Sequence, residues 1–255
     1  MQHILGLVRR CVEDYHMIDV HRHILPGVDD GAADMDETIA MLKYAIRDGI
    51  TAFIATPHYH LGRKVADYDR IEKAYHDVLC EVKKRKLPIQ IFLGNEIFYS
   101  DTAIEDISAK KVHTMHNSRY ILLEFHPGHS YREIRHGIHY AIEEGYIPIL
   151  AHAERYQVLL DDYTRVEELI DMGCYIQLNA GDIMGNDGWR VRHFCKKLLK
   201  EEYVHFIATD AHKKEGRRVP QLSKCASYIA RKYSDDYAQM IFEDNPQKVL
   251  QDEYL

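Results

Sequence analysis

The fold is decided by a unit that recurs along the chain, and its first copy is MIDVHRH, residues 17–23. In each copy a short apolar, β-branched run ends in polar residues and is followed by a stretch with helical periodicity. Continuous apolar runs are typical of buried parallel strands, and strands that alternate with helices indicate a parallel α/β fold. The chain of 255 residues contains seven such runs, at 17–20, 51–55, 89–93, 120–123, 147–151, 174–178 and 205–209.

Helix signals separate these runs. Asp34, followed three residues later by Glu37, predicts an N-cap with its N3 partner, and Gly49 ends the helix that follows. Asn245 and Pro246 predict the N-cap and N1 position of a last short helix. Other helices are predicted at 68–86, 131–144, 163–172, 189–200 and 221–232. Seven β/α units in one chain predict a single α/β barrel of TIM type and leave seven or eight strands open.

Composition excludes several classes of protein. Lys and Arg number 33 and Asp and Glu 40, a net charge of −7 that argues against a chain-wide surface for nucleic acid or anionic membrane. No apolar run approaches the about 18 residues of a transmembrane helix, and residues 1–10 do not resemble a signal peptide. The five cysteines form no C-x-x-C pair, which favours reduced thiols. We therefore predict a cytoplasmic protein with no nucleic-acid partner and no direct membrane insertion.

The ends of the predicted strands carry the candidate chemistry, because the active site of such barrels lies at the carboxyl ends of the strands. One of the seven runs, at 174–178, is followed by the polar Asn179. The other six are followed by metal-type ligands, namely His21 and His23, His58, Glu96, Glu124, His152, and Asp210 with His212. Charged residues that cap one strand after another on a single rim cost desolvation unless cations compensate them. A hydrogen-bonded structural role is the alternative for any single residue, but the joint pattern predicts a metal site.

Two other features of the sequence bear on its function. Cys225 and Arg231 have the C-x5-R spacing of cysteine-dependent phosphatases, but the stretch contains no glycine and predicts a helix. Six residues along a helix place the two side chains about 240° apart, so they cannot share one phosphate. Twelve of the 17 histidines fit no ligand position. Of these, His60, His126 and His129 lie near strand ends, where a role beside the ligands or along the substrate is open.

Six stretches at the strand ends resemble the PHP (polymerase and histidinol phosphatase) family, and most closely its protein-tyrosine phosphatases of bacterial capsule and exopolysaccharide operons. The stretches are HRHILPGVDDG (21–31), ATPH (55–58), GNE (94–96), LEF (123–125), HAERY (152–156) and TDAH (209–212). The first and fifth are specific to that branch. The resemblance implies a single distorted TIM-like (β/α)7 barrel over residues 17–255, preceded by an N-terminal extension at 1–16.

The resemblance also implies a centre of three divalent metal ions. Nine side chains would hold them: His21, His23, Glu96 and Asp210 at the first ion, Glu96 as a bridge with Glu124 and His152 at the second, and Asp30, His58 and His212 at the third. Nitrogen and oxygen ligands without thiolate suit Mn²⁺, Fe or Zn²⁺, and the resemblance favours Mn²⁺.

A phosphate monoester fits this centre. Three divalent ions against four carboxylates leave a net positive pocket, which suits a dianion. Coordination lowers the pKa of water from about 15.7 to about 7, so we expect in-line attack of a metal-bound hydroxide on phosphorus. Arg155 and Arg217 resemble the phosphate-binding arginines of the family, and a planar guanidinium suits bidentate phosphate contact. Surface salt bridging is the alternative for both arginines.

The function implied by the resemblance is that of a metal-dependent protein-tyrosine phosphatase, a phosphoric monoester hydrolase. Its expected target is the phosphotyrosine tail of a capsule-type bacterial tyrosine kinase. Two alternatives stay open: a small-molecule phosphoesterase such as a histidinol phosphatase, and a barrel that binds the kinase without catalysis. The sequence sets no oligomeric state, and a homo-oligomer is also open.

Overall fold

The strands form where the apolar runs predict them. The computed structural model describes residues 15–62 and 66–255. Its strands are β1 (Met17–Arg22), β2 (Ile50–Ala55), β3 (His58–Tyr59), β4 (Gln90–Leu93), β5 (Glu96–Phe98), β6 (Tyr120–Glu124), β7 (Ile147–Leu150), β8 (Tyr175–Asn179) and β9 (Phe206–Ala208). All seven predicted runs are confirmed. The predicted boundary between an extension and the barrel falls next to residues 1–14, which lie outside the described residues, so it stays a prediction.

Two of the barrel positions are each filled by two short strands. β3 resumes the path of β2 after Pro57, which has no N–H to donate to a ladder, and β5 resumes the path of β4 after Gly94. The ladder nevertheless continues across the breaks, because Gly94 N donates to Ala55 O (2.8 Å) and Glu96 N donates to Pro57 O (3.2 Å). The nine strands therefore occupy seven positions.

The strands are parallel, and the sheet closes on itself. Hydrogen bonding joins β1-β2-β4 in one ladder and β3-β5-β6-β7-β8-β9 in another. At the carboxyl rim His23 N donates to Ala211 O and Asp210 N donates to His21 O, both at 3.0 Å, which brings β9 against β1. Among the described strands β4 pairs with β2 alone, and β6 pairs with β5 instead. This offset distorts the barrel, as the resemblance to a distorted (β/α)7 barrel predicts.

Helices cover the outside of the barrel. They are α1 (Met35–Arg47), α2 (Tyr68–Arg85), α3 (Asp101–Ser108), α4 (Tyr131–Glu143), α5 (Gln157–Asp161), α6 (Thr164–Asp171), α7 (Ala180–Met184), α8 (Trp189–Lys200), α9 (Ser223–Lys232), α10 (Asp235–Gln239) and α11 (Asn245–Gln251). Asp34 caps α1 as predicted, since its carboxylate accepts from Glu37 N (2.8 Å). None of the described helices is both long and apolar enough to cross a membrane.

One predicted helix start is wrong. Asn245 is not an N-cap, because a wider helical turn at Met240–Asp244 joins α10 directly to α11. Asn245 therefore has helical backbone angles (φ −63°, ψ −46°). Its side-chain amide donates to His205 O instead (2.9 Å). Pro246 still occupies the first turn of α11.

Two apolar layers hold the barrel together, since the side chains of a strand point alternately to its two faces. The outer layer packs the strands against the helices. The inner layer fills the lower part of the barrel with Val20, Ile54, Leu122, Ile149 and Phe206. The inward-facing positions nearer the carboxyl ends are polar, and they form the site described below.

A half-buried histidine at the lower end of the barrel gives the fold a pH dependence. His205 Nδ1 accepts from Ile176 N (3.1 Å), and burial lowers the pKa of His205 to about 4. An unfolded histidine has a pKa of about 6.5, so below that pH the unfolded chain binds the extra proton. Stability is therefore lost as the pH falls from about 6.5 toward 4.

The variant His205→Asn tests this prediction, because its side-chain oxygen can accept the same hydrogen bond without titrating. In metal-free buffer, we expect its urea midpoint to fall less than that of the wild type between pH 6.5 and 4.5. The exposed His193, changed to Asn, should behave like the wild type. Equal losses in His205→Asn and the wild type would contradict the assignment.

Candidate metal centre

The carboxyl ends of the strands bring the nine predicted ligands to one place. Seven of them are buried or half-buried at strand ends and in the turns that follow, and Glu124 ends β6 at the same rim. Asp30 comes from the loop after β1 and is the most exposed, with 67% of its side chain accessible. The structure thus assembles the complete predicted set: His21, His23, Asp30, His58, Glu96, Glu124, His152, Asp210 and His212.

Glu96 lies at the centre of the cluster. Its Oε2 is 3.3 Å from His21 Nε2, 3.1 Å from His23 Nε2 and 3.0 Å from His58 Nδ1. Its other oxygen, Oε1, is 2.8 Å from His152 Nε2. One carboxylate therefore faces four imidazoles, which is the arrangement of a bridging ligand.

The ligand atoms fall into three overlapping groups, within each of which all atoms lie within 4.8 Å of one another. The groups are His21, His23 and Glu96; His58, Glu96 and Glu124; and His23, Asp30, His58 and His212. Asp210 Oδ1 joins the first group at 3.6 Å from both His21 Nε2 and His23 Nε2. His152 Nε2 joins the second at 3.6 Å from Glu124 Oε1. The family resemblance assigns His23 to the first ion and His58 to the third. In the structure His23 also lies in the third group, and His58 also lies in the second.

The outer hydrogen bonds of the histidines fit a metal centre. Three ring Nδ1 atoms face oxygen acceptors: His21 faces Gln177 Oε1 (3.1 Å), His23 faces Asp29 Oδ2 (2.8 Å), and His212 faces the Asp210 carbonyl (2.9 Å). A neutral ring that donates from Nδ1 keeps a lone pair on Nε2, and in all three rings Nε2 is the atom that faces the cluster. Ligating histidines are typically oriented in this way.

Two buried atoms strengthen this fit. Glu96 Oε2 and His212 Nε2 form no well-aligned hydrogen bond with the described residues, although His58 Nδ1 lies 3.0 Å from the first and Asp30 Oδ1 lies 3.2 Å from the second. A buried polar atom that lacks a good hydrogen bond costs free energy, so a further bound group would stabilise both atoms. A divalent cation bound by nitrogen and oxygen ligands would do so.

The ligands shift one another's pKa values strongly. Burial lowers the pKa of His58, but the charge of Glu96 outweighs it and raises the value to about 11. Burial and the charge of Glu96 raise the pKa of Glu124 to about 7. Burial and the charge of His23 lower the pKa of His212 to about 4. Cations that take these atoms must displace the protons held by the cluster, so binding releases protons.

Two of the candidate ligands have a strained backbone conformation. His152 (φ 35°) and Asp210 (φ 49°) both adopt the left-handed conformation although neither is glycine. Such residues persist where the surrounding structure fixes them, and they cluster at functional sites. In both cases the turn directly follows a strand, and the unusual angle directs a ligand toward the cluster.

Arginines border the cluster on the side of Asp210. Arg155 Nη2 lies 3.0 Å from Asp210 Oδ2, and 28% of its side chain is exposed. Arg217 is 77% exposed, and its Nη1 lies 3.8 Å from Asp187 Oδ1. Arg217 lines the same surface depression as Arg155. The structure therefore places both predicted arginines beside the rim, with only Arg155 in contact with a ligand.

Three residues of the site escaped the sequence analysis. Asp29 and Gln177 contact the Nδ1 atoms of His23 and His21, and Arg218 Nη2 lies 2.6 Å from Asp210 Oδ1. The inward direction of Gln177 could have been predicted, because Gln177 lies two residues before Asn179 and so shares the inward face of β8. Asp29 directly precedes the predicted ligand Asp30. No pattern in the sequence distinguishes Arg218 from its neighbour.

A closed, parallel, seven-position barrel with a histidine and carboxylate cluster at its carboxyl rim defines the class of TIM-like barrels with a candidate metal centre at the strand ends. The chain belongs to the CpsB/CapC family of capsular polysaccharide synthesis, which matches residues 17–251.

Two named relatives are similar in sequence to this chain over nearly its whole length. It is 34% identical over 244 residues to the tyrosine-protein phosphatase CpsB of Streptococcus pneumoniae, covering 94% of this chain and 100% of that one. It is 28% identical over 239 residues to the tyrosine-protein phosphatase YwqE of Bacillus subtilis, covering 94% and 93%.

Solved structures give the same fold. A crystal structure from a study of YwqE and CpsB, described as metal-dependent tyrosine phosphatases, has a TM-score of 0.86 at 28% identity and covers 94% of this chain and 96% of the other. The histidinol phosphate phosphatase of Lactococcus lactis has a TM-score of 0.59 at 14% identity over 86% of this chain and 94% of the other. That second likeness shows the fold alone.

Proposed function

We propose that this chain is a metal-dependent protein-tyrosine phosphatase whose nine ligands hold three divalent ions. Mn²⁺ is our first choice, and Fe or Zn²⁺ would fit the same donors. The observation that carries the proposal is the convergence of nine side chains with nitrogen and oxygen donors on one cluster centred on Glu96, with the Nε2 lone pairs of His21, His23 and His212 directed inward. The names of the relatives support the substrate class.

Bound divalent ions would supply Lewis acidity and an activated water at neutral pH. The protein itself contributes position and charge. Arg155 holds its guanidinium beside Asp210 at the edge of the cluster, where it can bind phosphate oxygens. Arg217 is exposed at the same edge and can approach the phosphate from solvent. A tyrosine phenol has a pKa of about 10 and leaves with less help than an alkyl alcohol would need.

We propose that the substrate is the phosphotyrosine tail of a bacterial tyrosine kinase, and that the reaction takes place in the cytoplasm. Membership of a capsular polysaccharide family supports the first part. The free thiols of Cys80, Cys174, Cys195 and Cys225 support the second. The cysteine-dependent alternative fails on geometry, since Cys225 is buried within helix α9.

A side-by-side assay tests the proposal. Purified protein loaded with Mn²⁺ is given a phosphotyrosine peptide and histidinol phosphate at matched concentrations, and kcat/KM is measured for both. We expect the peptide to be the better substrate. Hydrolysis of histidinol phosphate alone would support the small-molecule alternative, and binding of the peptide without turnover would support the non-catalytic one.

A further inference from the structure

The mouth of the metal centre carries a pair of stacked rings. His58 pairs with Glu96 in the ladder between β3 and β5, and both side chains point into the cluster, with His58 Nδ1 3.0 Å from Glu96 Oε2. Side chains alternate along a strand, so the residues two positions further on, His60 and Phe98, face the same side. Their rings stack with centroids 4.1 Å apart and planes at 22°.

The strand register fixes the height of this pair above the ligands. Phe98 is the partner of Glu124 in the ladder between β5 and β6, and Glu124 is itself one of the ligands. A parallel strand rises about 3.3 Å per residue, so Phe98 stands about 6.6 Å beyond Glu96. The ring of His129 also lies near Phe98, with ring centroids 6.2 Å apart.

The pair is accessible and held in place. Phe98 and His60 are both partly exposed, whereas the neighbouring Phe125 is completely buried in the outer layer of the core. The backbone of Phe98 is fixed by its ladders. His60 Nδ1 lies 2.7 Å from the Leu61 carbonyl, which can accept its proton and fixes the ring. These rings therefore present a rigid face at the rim.

This position matches the ring of an aryl phosphate. The ring begins one bridging oxygen beyond phosphorus, so a phosphate held at the level of Glu96 and His58 directs the phenyl group toward the level of His60 and Phe98, two residues further along the strands. Aromatic rings favour offset or edge-to-face contact with other rings. We propose that Phe98 and His60 form an aryl subsite that selects phenyl phosphates over alkyl phosphates, an inference that rests on the phosphatase function proposed above.

Variants at this pair test the subsite. The readout is the ratio of kcat/KM for a phosphotyrosine peptide to kcat/KM for the same peptide with phosphoserine, with the metal content of each variant measured in parallel. We expect Phe98→Leu to lower the ratio about tenfold, the scale of a lost aromatic contact with its ring burial. His60→Ala should lower it in the same direction.

Two further variants serve as controls. Phe98→Tyr keeps the ring and should keep the ratio. Phe92→Leu makes the matched change at a partly buried phenylalanine of β4, the strand that precedes β5 in the same barrel position and lies further from the carboxyl rim. This variant should leave the ratio unchanged.

The outcomes separate this inference from the proposed function. An unchanged ratio in both Phe98→Leu and His60→Ala would overturn the subsite, and so would equal losses in Phe98→Tyr and Phe98→Leu. Failure of the wild type to hydrolyse the phosphotyrosine peptide would instead overturn the phosphatase function.

Discussion

Replacing Asp210 by asparagine is expected to lower kcat for a phosphotyrosine peptide by about 10³-fold. Asp210 is 1% exposed, and its Oδ1 lies 3.6 Å from both His21 Nε2 and His23 Nε2. The neutral amide is a poorer metal ligand and leaves Arg155 without its carboxylate partner. Lewis acidity is worth several kcal/mol to such a reaction, and each tenfold change in rate corresponds to about 1.36 kcal/mol.

The same substitution at a distant position is the control. Asp171 is exposed at the end of α6, so Asp171→Asn should turn over like the wild type. Circular dichroism of both variants checks that the barrel is retained. Turnover by Asp210→Asn close to that of the wild type would remove Asp210 from the site.

Replacing Arg155 by alanine is expected to lower kcat/KM for the same peptide by about 10²-fold, the usual cost of losing one donor to developing negative charge. Arg155 is fixed against Asp210, so its guanidinium already stands at the rim. Arg155→Lys should recover only part of the loss, because an ammonium lacks the bidentate geometry. We expect Arg217→Ala to cost less, since Arg217 is far more exposed.

These arginine variants also decide between phosphate binding and simple salt bridging. Arg135 is exposed on α4, and Arg135→Ala should leave kcat/KM unchanged. If Arg155→Ala behaved like Arg135→Ala while retaining its metal content, the role of Arg155 would be limited to its ion pair with Asp210.

The sequence was sufficient for the fold because burial on both faces makes each strand a continuous apolar run. The splitting of two barrel positions was not predictable, since it depends on how Pro57 and Gly94 fit between neighbouring ladders. The prediction that Asn245 is a helix N-cap was wrong for a similar reason. Asn-Pro is a valid helix-start signal, but here the preceding helix continues through it, and the amide is used by His205 O instead.

Most of the candidate site was predictable because the carboxyl ends of parallel strands meet at one rim. Asp30 was the exception, since it lies in a loop and only the family resemblance pointed to it. Hydrogen bonds between distant residues, such as His21 with Gln177, depend on tertiary contacts that no local pattern encodes.

The three histidines near strand ends, His60, His126 and His129, have different surroundings, and the sequence did not predict these differences. His60 stacks on Phe98, and His129 lies beside that pair. His126, in contrast, is exposed and accepts from Gly128 N (3.1 Å). Their positions in the sequence did not distinguish them, because the distinction depends on which ring reaches Phe98.

Phosphotyrosine hydrolysis by this chain should depend on metal ions held by this cluster. The most direct test measures the metal content of the purified protein together with its turnover of a phosphotyrosine peptide, before and after exhaustive chelation. We expect three ions per chain, loss of turnover when they are removed, and recovery when Mn²⁺ is added back. Full turnover by completely metal-free protein would contradict this dependence on metal.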